Sequence, residues 1–427
     1  MISMKHYDLI VAGGGLTGVA AAVSAAREGL SVLLIEKNGC LGGAISNNLV
    51  YPFINYWTFP PETGEQYYLN AGIFAEIRKR EYEYRTACNE PEERPEYLFK
   101  PEYYKFILDD ILTESGADVL FHATLFRAKA EGRKVQEICL VTPSGKLTLT
   151  ADFFIDATGN GDLLALTDCD YQLGRESDGL CQPMTTCFRM SGVDIEQFKK
   201  DHQRLNELYQ QQQKEGKIKN PRENILVFYG IGQDILHLNT TRVIKLNPTD
   251  AFDVSRAEIE ARRQIYEMVC FLKENSTAFT NSTIINIANE IGIRESRKLK
   301  GVHILTQDEL KNMADFEDTI AVGNYDIDIH NPSGTGTSHY YFKGGEYYQI
   351  PYRSLLPKEY DNLLAAGRCI SVTHEAQASI RVMPICACIG QAAGTAVAVA
   401  HQSGSTVHTV NIKTLQECLI KNGAVIK

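Results

Sequence analysis

Leu9-Ile10-Val11-Ala12-Gly13-Gly14-Gly15-Leu16-Thr17-Gly18, then a run of small residues, then Ser31-Val32-Leu33-Leu34-Ile35-Glu36, has the spacing of a strand, a glycine turn, a helix and a second strand that together hold a dinucleotide. Gly13 permits the sharp turn out of the strand, and Gly15, lacking a side chain, lets backbone approach a pyrophosphate. Gly18 lets the helix press against the sheet, with Ala22 and Gly29 expected to keep that contact close. Leu16 and Thr17 open the helix, whose N-terminus offers unpaired N–H groups and partial positive charge to phosphates. Glu36 ends the second strand, with Lys37 beside it. A carboxylate there accepts hydrogen bonds from ribose hydroxyls and repels a 2′-phosphate, so FAD or NAD fits better than NADP.

The remaining composition sets limits around that unit. The chain has 427 residues, 44% of them hydrophobic, enough for about two or three domains with filled cores. No run of about twenty apolar residues stands out, and no leader-like segment precedes the first strand, so a cytoplasmic protein is expected. The eleven cysteines are irregularly spaced and include no CxxC pair, which reads as buried small residues rather than disulfides or a zinc site, and no metal is expected. A formal charge of −10 disfavours a nucleic-acid partner.

Along the chain, Gly39 to Gly43 reads as a flexible turn, and the aromatic, proline-bearing stretch to Pro61 as a loop near the cofactor. Helical periodicity covers 70–84 and 101–115, joined by a charged connection around Pro91 and Pro95. Short strands follow at Val119 to Phe121, Thr124 to Ala130, Val135 to Thr142 and Lys146 to Thr150, the pattern of an antiparallel meander. Phe153 to Gly159 reads as a buried strand ending on glycine. From about 165 the character changes: a Gln-rich helix near 195–217, a strand pair around Ile225 to Ile244 and an amphipathic helix at about 252–274. Asn362 to Gly367 is again an apolar strand ending in glycine, and a helix of small residues begins near Pro384. The expected fold is α/β: a Rossmann-like FAD/NAD(P)-binding domain with a parallel central sheet and a β-meander, formed by 1–165 and 346–427, with a smaller α+β substrate or cap domain, 166–345, inserted between them.

Taken together these marks resemble the glutathione-reductase-type flavoproteins, the superfamily that includes fumarate reductase flavoprotein subunits and glucose-inhibited division protein A. Asp156-Ala157-Thr158-Gly159-Asn160-Gly161-Asp162, Ile350-Pro351-Tyr352-Arg353, Ala366-Gly367-Arg368-Cys369-Ile370-Ser371, Arg381-Val382-Met383 and Gly390-Gln391-Ala392-Ala393-Gly394 look more narrowly like the bacterial family of FAD-dependent oxidoreductases. The resemblance implies that Gly13, Gly15, Gly18 and Glu36 hold the ADP half of FAD. Gly42, Gly43 and Ala44 would pass the pyrophosphate or ribityl chain, with Thr158 and Gly159 beside them. Gly367 and Arg368 would bring the last strand to the flavin, and the helix at Met383 and Pro384 would aim its N-terminus at the ring. A helix N-terminus is a fixed positive partner for the negative charge of reduced flavin, although a small-residue helix is equally suited to close packing.

Flavin accepts a hydride at N5, so the protein's task is to place a substrate C–H, exclude water and manage one proton. Arg294, Arg297, Arg353 and Arg381 are candidates for gripping a carboxylate by paired hydrogen bonds, each otherwise a structural ion pair, and the resemblance favours Arg381. Arg294 and Arg297 share a face in a helix and oppose one another in a strand, so spacing leaves their joint action open. His330 and His339, flanking the loop 331–338, are candidates for proton transfer, with His374 a third. Asp326 and Asp328 either orient His330 or solvate a strand edge, and Cys40 is either a redox partner of the ring or a packing residue. The expected function is hydride transfer between flavin N5 and a small organic molecule, an anion if the arginines hold it, with a homo-oligomer left open. The alternatives are a thiazole-synthase-like protein that builds an adduct on NAD, and an RNA-modification or nucleotide-binding partner like glucose-inhibited division protein A.

Overall fold

The computed structural model describes residues 5–90 and 97–427, so the expected connection around Pro91 and Pro95 lies outside the described residues. The chain runs through β1 (His6–Ala12), α1 (Leu16–Arg27), β2 (Val32–Ile35), α2 (Ile73–Ala87), α3 (Tyr103–Glu114), β3 (Asp118–Leu120), β4 (Thr124–Glu131), β5 (Lys134–Thr142) and β6 (Gly145–Asp156). It continues through β7 (Phe188–Ser191), α4 (Ile195–Lys214), β8 (Val227–Phe228), β9 (Leu236–Leu238), α5 (Ala251–Asn275), β10 (Thr283–Ile287), β11 (Ile327–His330), β12 (Thr337–Tyr340), β13 (Leu363–Ala365) and α6 (Met383–Ser403). Shorter elements connect these.

The central sheet has strand order β3-β2-β1-β6-β5-β4, with β13 also on β6. Strands β3, β2, β1, β6 and β13 are parallel neighbours. Their near-continuous apolar sequences follow from burial on both faces of a parallel sheet. Strand β6 serves two structures at once. Its first half pairs antiparallel with β5, and β5 with β4, giving the meander; its last residues pair with β1 and β13. Two sequence expectations change accordingly. The strands expected at Lys146 to Thr150 and from Phe153 are one continuous strand. The strand near Val119 joins the parallel sheet beside β2 instead of the meander, because its partner is distant in sequence.

Register does the positioning. Ala12 is opposite Asp156, and Asp156 is opposite Ala365, so β1, β6 and β13 end level with one another. The turns that follow, from Gly13, Ala157 and Ala366, therefore meet at the carboxyl edge of the sheet, where ligands of such sheets bind. Gly13 has φ +102°, and a Cβ there would stand 2.6 Å from the Ala157 carbonyl oxygen.

Helices α1 and α6 pack backbone to backbone. A Cβ on Gly390 would lie 2.1 Å from Thr17 O, one on Gly394 2.1 Å from Ala21 O, and one on Gly18 1.8 Å from Gly13 O. Gly29 is different from the close-contact role expected of it. It has φ +94° and nothing near its would-be Cβ, so it serves the turn out of α1. Helix α6 is long and apolar enough to cross a membrane, yet its apolar stretch is wholly buried inside the protein.

The segment after β6 carries a second core. Strands β8, β9, β7 and β10 form a four-stranded sheet in that order. One face of it, Phe188, Met190, Leu236 and Leu238, packs with Phe198, Leu205 and Tyr209 of α4 and Ile265, Met268 and Leu272 of α5. Asp194 caps α4 at Gln197 N, and Asp250 caps α5 at Phe252 and Asp253 N. Side chains from Leu299 to Ile327 join the main core instead.

Candidate active site

The turns after β1, β6 and β13 open into a cavity of about 830 Å³. Gly13, Gly15, Leu16, Thr17, Glu36 and Lys37 line it from the N-terminal unit, and Gly42, Gly43 and Ala44 from the following turn. Thr158, Gly159, Arg368 and Met383 line it as well. Gly18 and Gly367 are not in its wall. Gly18 sits against the Gly13 carbonyl, and Gly367, at φ +77°, sits against Thr17, where a Cβ would come within 2.7 Å of Oγ1. Both shape the cradle from behind.

Gly15 caps α1 with no side-chain hydrogen bond, leaving the first helical N–H groups for a ligand, and its would-be Cβ meets nothing within 4 Å. Gly42 N donates to Gly14 O at 2.9 Å, so the second glycine turn lies on the first. A Cβ on Gly43 would come 3.0 Å from the Gly15 Cα. Glu36 is 6% exposed, and its two oxygens accept from Gly14 N at 2.7 Å and Asn38 N at 2.8 Å. Its carboxylate thus holds the glycine turn in addition to facing the cavity. Lys37 reaches across to Glu290 at 2.8 Å.

Asp156, quoted above only as part of a motif, organises the second turn. It is fully buried and accepts from Thr158 N at 3.0 Å, Thr158 Oγ1 at 2.7 Å and Leu164 N at 2.9 Å. Burial, with Asp162 nearby, pushes its carboxyl up to about 6 against those hydrogen bonds. Arg368 ties the third turn to the second, donating to Gly159 O and Asn160 Oδ1, each at 2.8 Å.

At the other end, Arg294, Arg381, His330 and His339 all line the same cavity. Arg294 lies at a bend, outside any helix or strand, and donates to the Pro183 carbonyl at 2.7 Å and to Thr185 Oγ1. Burial and the neighbouring Arg381 and Arg222 guanidiniums push it down to about 9, so it stays charged at neutral pH. Arg297 also lines the cavity, but pairs with Asp162 at 3.0 Å.

Strands β11 and β12 form a hairpin with Asp328 opposite His339 and His330 opposite Thr337. Asp328 accepts from Tyr325 Oη at 2.7 Å and lies 3.3 Å from both His330 Nε2 and Arg381 Nη2. Burial alone would raise its carboxyl, but His330, Arg381 and Tyr325 outweigh that and hold it well below the usual carboxylate range. Arg242 Nη2 lies 3.1 Å from His330 Nδ1. A guanidinium only donates, so Nδ1 is the acceptor and the ring proton sits on Nε2, facing Asp328. Burial, with Arg294 nearby, lowers the His330 pKa well below its ordinary value and keeps the ring neutral. His339 Nδ1 is 2.8 Å from Asp326 and its Nε2 is 3.6 Å from Asp328, so both acids orient histidines. The ring is a third exposed.

Three candidates fall away from the cavity. Arg353 pairs with Asp318 at 3.0 Å in a separate surface depression, because the 3₁₀ turn after Pro351 carries it to the outside. His374 is buried against Glu295 at 2.7 Å, which also holds Lys298. Cys40 is hydrogen-bonded to Asn47 Oδ1 at 3.6 Å and is not in the wall. The wall cysteines are Cys187 and Cys386, whose thiols burial pushes up to about 11 and about 12, so both remain protonated. The sequence reading did not single out Arg222, Arg242 or Tyr325; the Asn220-Pro221-Arg222 turn was the available signal for the first.

Parallel strands ending in glycine turns, a free helix N-terminus and a buried carboxylate around one deep cavity define a dinucleotide-binding enzyme of the Rossmann type. The chain belongs to the FAD dependent oxidoreductase family, whose model matches residues 8–419. It is an FAD-dependent oxidoreductase, and FAD is its cofactor, which sets the NAD-adduct alternative aside. The residues present fit that group: besides the cradle, buried Asn47 Nδ2 and Arg381 Nε in the cavity-lining residues have no hydrogen-bond partner. Dihydrolipoyl dehydrogenase of Trypanosoma brucei brucei is 31% identical over 127 residues, 26% of this chain and 26% of that protein. Ferredoxin–NADP reductase of Mycoplasmoides gallisepticum is 43% identical over 61 residues, 14% of this chain and 18% of that protein. The chain therefore matches about a quarter or less of the length of these curated relatives. A geranylgeranyl bacteriochlorophyll reductase-like protein of Thermoplasma acidophilum is 14% identical, with 99% of this chain and 85% of that chain covered and a TM-score of 0.48.

Proposed function

We propose that the protein transfers a hydride between a small organic anion and flavin N5, within the glutathione-reductase-type superfamily and in the cytoplasm. One observation carries this reading: Glu36 of the N-terminal unit, Arg368 of the C-terminal return and the Arg294–Arg381–His330 group line a single cavity. Bound FAD supplies a two-electron acceptor at N5. Gly15, the α1 N-terminus and Glu36 hold its adenosine and pyrophosphate part, and the α6 N-terminus at Met383 faces the other end.

The substrate's acid group sits between Arg294 and Arg381, where paired guanidinium donors fix its orientation. Neutral His330 positions Asp328 through Nε2–H, while Arg242 fixes the ring from Nδ1. His339, the most exposed member, is the group of this cluster that exchanges a proton directly with solvent, while the buried Asp328 stays a carboxylate. The sheet of β7 to β10, within the inserted segment 166–345, covers the cavity and excludes water.

The test is anaerobic mixing of FAD-loaded protein with panels of hydroxy, amino and unsaturated acids, followed by flavin absorbance. Bleaching or reoxidation by an acid, but not by its amide, is expected. Activity on uncharged substrates alone would remove the anion from the reading, and a folded protein that binds no FAD would remove the reading altogether.

A further inference from the structure

Strands β7 and β9 place Arg189 opposite His237. Their neighbours Phe188, Met190, Leu236 and Leu238 face the core under α4 and α5, so alternation turns Arg189 and His237 to the other face of the sheet. Cys187 and Asn239, of the same parity, line the cavity. Arg189 is 4% exposed and His237 fully buried. Arg189 Nε and Nη2 and both ring nitrogens of His237 have no hydrogen-bond partner. The His237 ring lies 5.5 Å from that of Tyr51 and 6.1 Å from that of Phe228, and both of those residues line the cavity. The Cys187 thiol in the wall lies within electrostatic reach of Arg294, Arg189 and Arg222. Glu102 is the acid nearest in effect to Arg189, but it is bonded to Lys105 at 2.7 Å.

Buried polar groups in native proteins are nearly always satisfied, and a buried guanidinium without a carboxylate is among the costliest exceptions. These two groups side by side behind an aromatic wall have the chemistry of an oxyanion site: the unpartnered Nε and Nη2 donors of a guanidinium on one side and an imidazole on the other. Tyr51, Leu226 and Phe228 supply an apolar approach. We propose that Arg189 and His237 form a roof subsite that takes a second acid group, at the far end of an elongated substrate whose first acid group lies between Arg294 and Arg381 and whose aromatic or alkyl body lies along Tyr51, Leu226 and Phe228. This rests on the reading of the cavity as a substrate chamber.

The experiment uses FAD-loaded protein and the dicarboxylate 3-(4-carboxyphenyl)propionate as the probe, with 3-phenylpropionate, which carries a single acid group, as the control, following flavin absorbance for affinity and thermal unfolding for stability. Arg189→Met is expected to lose tenfold or more of the dicarboxylate affinity, bringing it to that of the monocarboxylate control, and to melt higher than the parent without probe, since an unpartnered buried charge has gone. Affinity decides: a loss smaller than tenfold overturns the subsite. Should Arg189→Met fail to fold, Arg189→Lys and His237→Phe replace it, and parental affinity in both overturns it likewise. If Arg294→Met loses the probe and Arg189→Met does not, the probe is held at the Arg294 end alone and the roof subsite is refuted while the chamber stands. Failure of the parent to retain FAD instead refutes the chamber.

Discussion

Replacing Glu36 tests whether its carboxylate is a structural clamp as well as a ribose contact. Both oxygens are engaged by backbone amides, Gly14 N at 2.7 Å and Asn38 N at 2.8 Å, in a site 6% exposed. Hydrogen bonds to a charged group contribute about 1.5–3 kcal/mol each, and a buried amide left alone loses its solvation as well. Glu36→Ala removes both, so the FAD-stripped protein should lose about 3 kcal/mol of unfolding free energy even at the lower figure. Glu36→Gln keeps one acceptor and turns an NH₂ toward the other amide, so it should fall between parent and Ala. Urea unfolding of the three stripped proteins measures this, and FAD titration of the same samples should give affinities in the same order. Stripped Glu36→Ala as stable as the parent, with only FAD affinity reduced, would show that the carboxylate serves the ribose alone.

Gly15→Val should leave the stripped protein's melting temperature near the parent's, because a Cβ there meets nothing within 4 Å, yet abolish FAD retention measured by visible absorbance. Gly394→Ala should do the reverse in stability: its Cβ would meet Ala21 O at 2.1 Å, an overpacking worth about 1–3 kcal/mol or more, read as a lower melting temperature. Asp156 has a folded-state pKa of about 6 against 3.8, so the folded chain holds the proton more tightly and its stabilising contribution is present below pH 3.8 and lost as pH rises through 6. Asp156→Asn should flatten the fall in stability across that window, worth roughly 3 kcal/mol in urea titrations at each pH. Arg381→Ala should spare FAD affinity and depress turnover, with loss of FAD instead assigning Arg381 to the cofactor.

The dinucleotide unit was readable because every contact that defines it is local: Gly13, Gly15 and Glu36 act within one strand–helix–strand. The same holds for the ends of α4 and α5, where Asp194 and Asp250 cap helices whose apolar positions repeat. What could not be read depends on pairing across long stretches of chain. Residues 145 to 156 looked like two strands because their neighbours change midway, from β5 on one side to β13, while the backbone continues. As sequence, Arg353 and Arg381 carry the same chemistry; only the docking of the 3₁₀ turn at 352 and of the helix before α6 sends one outward and the other into the cavity. Arg222 and Tyr325 reach the site only when the inserted sheet and the β11–β12 hairpin are in place.

The glycine-mediated seating of α6 on α1 has a consequence for how the molecule is made. The first helix of the cradle finds its packing partner 367 residues further along, where Ser24 Oγ donates to Gln391 O, and contacts so far apart in sequence form late. A ribosome-bound chain lacking residues 363–403 has β1, β2 and their glycine turn but neither the last parallel strand nor the helix that presses the turn into shape. Until α6 is made, the small-residue face of α1 has no helix to cover it.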